Sequence, residues 1–342
     1  MVNLDMILVT GGTGLVGAHL LLQLVQSGHK PRATYRTQKR TAITKKIFSY
    51  YADNYETLFN AIEWVECDIL DIVALEMAFE GVTQVYHSAA FISFDPKDYK
   101  KLLKINVEGT TNVINLCVFN NTEKLCYVSS IAAIGESIGD KPVKESNEWI
   151  ETNNSGYAVS KHAAEMEVWR ASQEGVPVVI INPGVILGPG FWKSGSGLFF
   201  YAAAKEPNYY LPNGTGFVSV HDVVRAMINL MKSDTHNERF ILVNENWSYK
   251  TLNLILAQGL KKKAPKKELK VWVLNVFWRI DWLKSNLIGS RRKLSKNMAK
   301  TLSQTQLYDN SKITRFLPNF QFEDLKKTTQ SYCSLFLKEQ EA

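Results

Sequence analysis

The sequence predicts an α/β protein, a doubly wound parallel sheet followed by a smaller, mostly helical C-terminal lobe. Three observations predict it. Short β-branched runs alternate with longer helical patterns through the first half. A glycine-rich turn joins the first run to the first helical stretch. After Pro183 the alternation stops and the chain becomes Gly/Pro-punctuated and rich in aromatics.

Each element follows from its own pattern. Strands are expected at 6–10, 32–36, 61–67, 84–87, 124–129 and 176–182, several of them apolar on both faces as central parallel strands require. Helices are expected near 15–27, 71–79, 98–119 and 155–174, and such crossovers place helices on both faces of the sheet. Residues 1–182 then form the sheet domain, with 217–245 returning to it. Residues 183–216 and 246–342 form the lobe that would hold a substrate.

Composition bounds the class. A chain of 342 residues with 45% hydrophobic and 21% charged residues is long enough for a substantial core and excludes a disordered or fibrous protein. Cys67, Cys117, Cys126 and Cys333 lack C-x-x-C spacing and read as reduced, buried thiols. The start of the chain lacks a basic segment ahead of a long apolar one, so no secretory signal is expected. The uncharged stretch 175–192 is interrupted by Pro177, Pro183 and Pro189 and reads as a strand running into a loop, not as a membrane span. A soluble, cytoplasmic protein is the expectation.

The first strand ends in Thr10-Gly11-Gly12-Thr13-Gly14-Leu15-Val16-Gly17. Glycines at 11, 14 and 17 permit a tight turn, backbone approach to a pyrophosphate and close packing of helix on sheet, while the helix start supplies amide donors. This is the phosphate-binding pattern of a Rossmann-type sheet. An NAD site usually places an acid at the end of the second strand, about 20 residues on, for the ribose 2′-hydroxyl. Here that strand ends in Arg36, with Lys39 and Arg40 close behind, which favours NADP(H); the plainer reading of Arg36 is a solvated strand end. Asp68, after the third strand, is placed either to meet an adenine amine or to serve a turn.

Tyr157 and Lys161 are spaced i, i+4, on one helix face with Cβ atoms about 5–6 Å apart. A phenol titrates near ~10 and is a poor base at neutral pH, so an adjacent ammonium and a cationic nicotinamide are needed before Tyr157 can relay a proton. Ser129 and Ser130 leave the fifth strand at the sheet's C-terminal edge, where ligands of open α/β sheets bind. Ser130 could polarise a carbonyl oxygen beside the tyrosine, with Ser129 the alternative.

These motifs together resemble the short-chain dehydrogenase/reductase superfamily, in its extended type that also contains NAD-dependent epimerases and dehydratases of sugar nucleotides. The resemblance covers nearly the whole chain. It continues in His87-Ser88-Ala89-Ala90, Asn106-Val107-Glu108-Gly109-Thr110, Asn182-Pro183-Gly184, Phe217 to Val223 and Tyr308 to Lys312. It implies a catalytic set of Ser130, Tyr157 and Lys161, with Asn106 supporting the lysine through a water. It implies cofactor contacts from Gly11, Thr13, Gly14, Leu15, Val16, Gly17, Ile69, Ser88, Ala89, Ala90, Ser129, Pro183, Gly184 and Val185, beside Arg36, Arg40, Asp68, Tyr157 and Lys161. A homodimer through 98–119 and 155–174 is implied in the same way.

Within the family the sequence is most similar to the dihydroflavonol reductase and 3β-hydroxysteroid dehydrogenase group. Related sugar-nucleotide enzymes usually carry an Arg-Asp pair before the segment at Phe217, whereas Asn213-Gly214-Thr215-Gly216 carries no charge. The presumed substrate loops hold Phe91, Ser93, Phe94, Phe191 and Trp192, which with Ser130 and Tyr157 would prefer a small hydrophobic or aromatic substrate; packing between the lobes accounts for some of these aromatics. The expected function is an oxidoreductase transferring hydride between NADP(H), with NAD(H) as the second choice, and a carbonyl or secondary alcohol. The alternative is an NAD-retaining epimerase or dehydratase; a non-catalytic NADP(H)-binding protein is disfavoured by the intact Tyr157 and Lys161.

The net charge of +7 is local. Residues 261–300 contain thirteen Lys and Arg against Glu268 and Asp281, so the remainder leans acidic. Within this segment Trp272, Phe277, Trp278 and Trp282 accompany the cations. The preferred reading is a lobe helix whose apolar face covers the substrate pocket; the other is an interfacial helix making weak peripheral contact with a membrane. The aromatics and the densest lysines occupy separate stretches, which argues against nucleic-acid binding. His19, His29, His87, His162, His221 and His236 are scattered, and no metal site is expected.

Overall fold

A computed structural model describes residues 6–137, 139, 141–150, 154–292 and 294–341. The chain runs β1 (Met6–Thr10), α1 (Leu15–Gln26), β2 (Arg32–Tyr35), α2 (Thr41–Ser49), α3 (Tyr55–Asn60), β3 (Glu63–Glu66), α4 (Ile72–Phe79) and β4 (Val82–His87). Next come α5 (Tyr99–Leu102), a π-helical turn (Leu103–Glu108), α6 (Gly109–Phe119), β5 (Lys124–Val128), α7 (Gly156–Gln173) and β6 (Val178–Pro183). The remainder comprises β7 (Val185–Leu187), α8 (Gly197–Ala204), β8 (Tyr209–Tyr210), β9 (Gly214–Ser219), α9 (Val220–Lys232), β10 (Glu238–Leu242), β11 (Glu245–Ser248) and α10 (Tyr249–Gly259). It ends with β12 (Lys267–Glu268), α11 (Val271–Ile288), α12 (Lys296–Leu302), α13 (Ser311–Phe316) and α14 (Leu325–Glu341).

Seven strands form one parallel sheet in the order β10-β6-β5-β4-β1-β2-β3. The direction of winding reverses between β1 and β4, which opens a crevice at their C-terminal ends, the place where ligands of such sheets bind. Alternate residues of each central strand enter opposite cores. Val9, Cys126, Val128, Val179 and Ile181 pack with α1 and α9, whereas Leu8, Leu125, Tyr127, Val178 and Ile180 pack with α4, α6 and α7. Burial on both faces explains why these strands lack a polar alternation.

The structure trims several expected bounds and adds elements. The second strand stops at Tyr35 and leaves Arg36 exposed beyond it, because Cys67 N–H bonds the Tyr35 carbonyl as the last rung with the neighbouring edge. Between β2 and β3 lie α2 and α3, two short helices not anticipated from the pattern. The predicted 98–119 helix is continuous but widens into the π turn at its centre. Side-chain caps start two helices where expected, Asp71 accepting from Ala74 N–H and Ser155 from Ala158 N–H. All four cysteines are free and buried.

Beyond the large sheet, β7, β9 and β11 form a smaller sheet and β8 pairs with β12. The chain from α9 returns β10 to the edge of the large sheet beside β6. Residues 308–312 are tied back to this edge: Asn310 Nδ2 donates to the Val243 carbonyl and Lys312 Nζ to Glu238 at 2.6 Å.

The tryptophan-rich segment forms α11, but its orientation differs from the preferred expectation. Leu274 and Ser285 face inward and are buried, while Trp272, Leu283 and Leu287 point to solvent. Much of the helix's apolar surface is therefore left to solvent. Lys293, one of the thirteen cations, lies outside the described residues. No helix among the described residues is long and apolar enough to cross a membrane.

A buried ion pair locks β10 onto α7. Glu165 is fully buried; its Oε1 accepts from Arg239 NH1 at 2.9 Å, and its Oε2 accepts from Ser129 Oγ at 2.6 Å and Asn182 Nδ2 at 2.8 Å. Removing one partner of such a pair strands a charge without water. Arg239→Met is expected to lower stability by about 3 kcal/mol, read by chemical denaturation. Adding Glu165→Gln, which removes the stranded charge and keeps an oxygen acceptor, is expected to restore more than half of that loss.

Candidate functional site

The site is built at the crevice between β1 and β4. Gly11 has φ +75°, and a Cβ there would lie 2.7 Å from the Ala89 nitrogen, so only glycine lets the loop after β4 close over the first turn. A Cβ at Gly17 would collide with the Gly11 carbonyl. Gly14 N–H donates to that carbonyl at 2.9 Å, which completes the turn. Helix α1 starts directly after it with no side-chain cap on Gly14 and no acid in its first turn. Its first amides therefore present a positive end suited to an anion. Thr13 and Val16 are buried and Leu15 half-buried around this turn. The tight, Cβ-free cradle at a helix start fits the pyrophosphate of a dinucleotide.

Around the cradle, Arg36 and Arg40 are exposed, on the bend and short helical turn after β2. Asp68 is half-buried and its Oδ1 accepts from Leu70 N–H at 3.0 Å, so one carboxylate oxygen serves the turn. Ile69 is buried, with its side chain against the space a Cβ would occupy at Gly109. Ser88 Oγ donates to the Thr10 carbonyl at 2.8 Å, holding β4's exit against β1. Ala89 is half-buried and Ala90 exposed. Pro183 ends β6, Gly184 N–H donates to the Leu242 carbonyl at 3.0 Å, and Val185 begins β7.

Helix α7 carries Tyr157 and Lys161. Lys161 is 2% exposed, and its Nζ donates to the Tyr127 hydroxyl at 2.8 Å and to the Val128 carbonyl at 2.7 Å. An ammonium has three hydrogens, so one remains for a ribose hydroxyl. The ammonium also lies 4.4 Å from the centre of the Tyr127 ring. Burial pushes the Lys161 pKa down to about 7, against an upward pull from the Glu165 carboxylate one turn along the helix. Burial raises the Tyr157 phenol, and a hydrogen bond with Ser130 opposes this.

The two serines separate by geometry. Ser129 is buried with its hydroxyl committed to Glu165. Ser130 is half-buried, caps the short turn Ile131–Ala133 by accepting from Ala132 N–H at 3.1 Å, and faces Tyr157. Of the two hydroxyls, Ser130's is the one that acts on the phenol, while Ser129's is held by Glu165.

Asn106 sits in the π turn, where the widened backbone aims its amide at the loop after β4. Its Oδ1 accepts from Phe91 N–H at 2.7 Å, and its Nδ2 donates to the Phe91 carbonyl and to Ser160 Oγ, both at 2.9 Å. Both amide hydrogens are therefore committed, and a lone pair on Oδ1 is what could hold a water toward the lysine.

The residues expected to touch substrate do not all converge. The nearest aromatic to the phenol is Phe94, whose ring lies 5.6 Å from that of Tyr157, edge to face. Phe91 packs instead beneath Lys101, 4.5 Å from its ammonium, and Ser93 Oγ donates to Asp98 at 2.7 Å. Phe191 is half-buried. Trp192 is buried between Phe200 and Phe336, with its indole N–H donating to Glu339 at 2.8 Å, so it serves the lobe's core.

Sequence reasoning missed Tyr127, Glu165 and Arg239, although a glutamate four residues after Lys161 on the same helix face was a readable signal. It also left His87 without partners. His87 Nδ1 pairs with Thr10 Oγ1 at 2.6 Å and Nε2 with Thr110 Oγ1 at 3.0 Å, and its ring stacks on Tyr127. Burial lowers its pKa to about 3, so it is neutral at physiological pH beside the buried Lys161. Among the described residues, no three His, Cys, Asp or Glu side chains come together in a way that could hold a metal ion.

Comparison with known proteins places this geometry. Residues 7–242 match the model of the NAD dependent epimerase/dehydratase family. A provisionally named dihydroflavonol 4-reductase of Synechocystis sp. is 29% identical over 321 residues, covering 92% of this chain and 89% of its own. Sterol demethylase protein B of Methylococcus capsulatus is 28% identical over 246 residues, 70% of each chain. Among solved structures, the protein gox2253 superposes with a TM-score of 0.81 at 24% identity over 98% of both chains. UDP-glucose 4-epimerase of Thermotoga maritima superposes with a TM-score of 0.75 at 18% identity, over 98% of this chain and 99% of its own.

The buried lysine sets a pH dependence. Unfolded Lys161 keeps its proton up to 10.5, while the folded side chain releases it above about 7, so between those values the unfolded state binds more protons and stability rises with pH. The cofactor-free enzyme is therefore expected to gain stability relative to Lys161→Met as the pH rises from about 7 to about 10. Denaturation of both proteins across that range measures the difference.

Proposed function

The chain belongs to the NAD dependent epimerase/dehydratase family, and on that premise we propose that it is an NADP(H)-dependent reductase acting on the carbonyl or secondary alcohol of a hydrophobic small molecule. The observation that carries this reading is the arrangement around Tyr157: Ser130 beside its phenol, and the Phe94 ring against its own. A carbonyl oxygen received between Ser130 and Tyr157 would have an apolar, aromatic neighbour on its carbon side. Relatives that carry the names of a dihydroflavonol reductase and a sterol demethylase component support a bulky, apolar substrate.

The roles follow from the contacts. Ser130 holds the substrate oxygen by a hydrogen bond, and Tyr157 donates its phenolic proton as the carbonyl becomes an alcohol. Lys161, fixed by Tyr127 and Val128, keeps positive potential near the phenol and turns its remaining hydrogen toward the cofactor ribose. Asn106 positions the Phe91 backbone and, through Ser160, the first turn of α7. The nicotinamide, when bound, supplies or receives the hydride. Gly11, Gly14 and Gly17 would cradle the pyrophosphate, and Arg36 with Arg40 would meet a 2′-phosphate.

A sugar-nucleotide epimerase is the competing reading. The uncharged 213–216 segment, where β9 begins against Trp247, weighs against a diphosphate there. A homodimer is proposed through the 98–119 and 155–174 helices, which border a shallow groove lined by Leu103, Val107, Thr111 and Ala163.

Two variants test the assignment. Tyr157→Phe is expected to reduce NADPH-dependent turnover roughly a thousandfold while leaving NADPH affinity within about twofold, by stopped-flow turnover and fluorescence titration. Arg36→Ala is expected to weaken NADPH binding roughly tenfold or more, the size of a lost charge-assisted hydrogen bond, with NADH binding unchanged. Full turnover by the first variant, or an equal effect on both cofactors by the second, would contradict the respective role.

A further inference from the structure

We propose that the outward face of α11 is a peripheral docking surface for an anionic lipid bilayer. Two stripes run along this helix of about 27 Å. Leu274, Trp278, Asp281 and Ser285 recur at helical spacing on the inward side, buried or half-buried. Trp272, Val276, Ile280, Leu283 and Leu287 recur at the same spacing about 180° away, every one exposed. The inward stripe holds the acid and the serine, and the outward stripe is wholly apolar. That is the reverse of what water selects on a surface helix.

The helix is not free to roll over. Lys97 Nζ reaches the carbonyls of Ser285, Gly289 and Ser290 at 3.3–3.4 Å, and Arg292 N–H donates to Asp95 Oδ2 at 3.2 Å. Asp281 Oδ2 accepts from Leu294 N–H at 2.9 Å on the inward side. These contacts fasten the C-terminal half to the 93–98 loop and hold the apolar stripe outward.

Charge identifies the occupant. Exposed Lys266, Lys267 and Lys270 precede the helix, Arg279 and Lys284 edge the stripe, and Arg291 follows it. Apolar and aromatic side chains flanked by cations match a bilayer whose headgroups are negative, with Trp272 on the apolar stripe as an indole suited to the interface. A second copy of the chain fits poorly, because cations stand at both ends of the helix and a two-fold contact of this face would set the cations of one copy against those of the other. The 93–98 loop also carries Phe94, whose ring lies against that of Tyr157, so a bilayer on this face would lie against the loop that flanks the phenol. The docking surface itself stands independently of the reaction proposed above.

The test is co-sedimentation of the full-length protein with vesicles of phosphatidylcholine alone or with about 30% phosphatidylglycerol. Binding is expected only to the anionic vesicles and is expected to be lost near about 0.5 M salt. Lys266→Gln/Lys267→Gln/Lys270→Gln, all exposed and outside the β1–α1 cradle, is expected to weaken partitioning roughly a hundredfold with NADPH binding retained. Leu283→Ser/Leu287→Ser is expected to weaken it at low salt without changing the salt dependence. Absence of binding to anionic vesicles, equal binding to neutral ones, or a concentration-dependent dimer in sedimentation velocity that Leu283→Glu dissolves would each overturn the proposal.

Discussion

The site depends on one buried cation. Lys161 enters the interface between α7 and the sheet, and that interface must supply oxygen acceptors or lose the charge altogether. β5 supplies them through the Val128 carbonyl and the Tyr127 hydroxyl. Tyr127 is itself held flat against His87, which bridges Thr10 at the end of β1 and Thr110 in α6. The end of β1, the central strand β5 and helix α7 are thereby parts of a single polar seam through an apolar core. Glu165 supplies the balancing negative charge one helical turn away, and Arg239 carries the compensation to the sheet's edge.

Much of this was legible in the sequence where local chemistry and position coincide. The glycine spacing foretold the cradle, because the reasons for each glycine are steric and local. The i, i+4 pair placed Tyr157 and Lys161 on one helix, and the two-faced apolar runs placed five central strands. What escaped was of two physical kinds. Partners far apart in the chain, such as Tyr127 with Lys161 or Arg239 with Glu165, leave no local pattern. Aromatics in loops were also ambiguous: Trp192 went to the lobe's core, while Phe94, a neighbour in the other loop, went to the phenol. Periodicity likewise located α11 but could not say which of its faces would turn inward, since a stripe of Leu and Trp has the same spacing either way.

The charge distribution divides the molecule into two tasks. Around the cradle the cations are few, with the exposed Arg36 and Arg40 just beyond β2, where the proposed NADP(H) reading would have them meet a ribose 2′-phosphate. In 261–300 they are many and unfocused, around an apolar surface without an internal partner. On the proposed reading, the first pattern would recognise one small anion by geometry. The second would produce a broad potential, suited to the proposed bilayer surface and not to a specific group.

Hydride accounting tests the central claim most directly. The enzyme would be incubated with NADPH carrying deuterium at both C4 positions of the nicotinamide and a panel of aromatic and steroidal ketones, with the products read by mass spectrometry. The account predicts an alcohol one mass unit heavier at its carbinol carbon and stoichiometric loss of NADPH. An inverted sugar nucleotide formed with no net oxidation of the nicotinamide, and no turnover of any ketone, would contradict it.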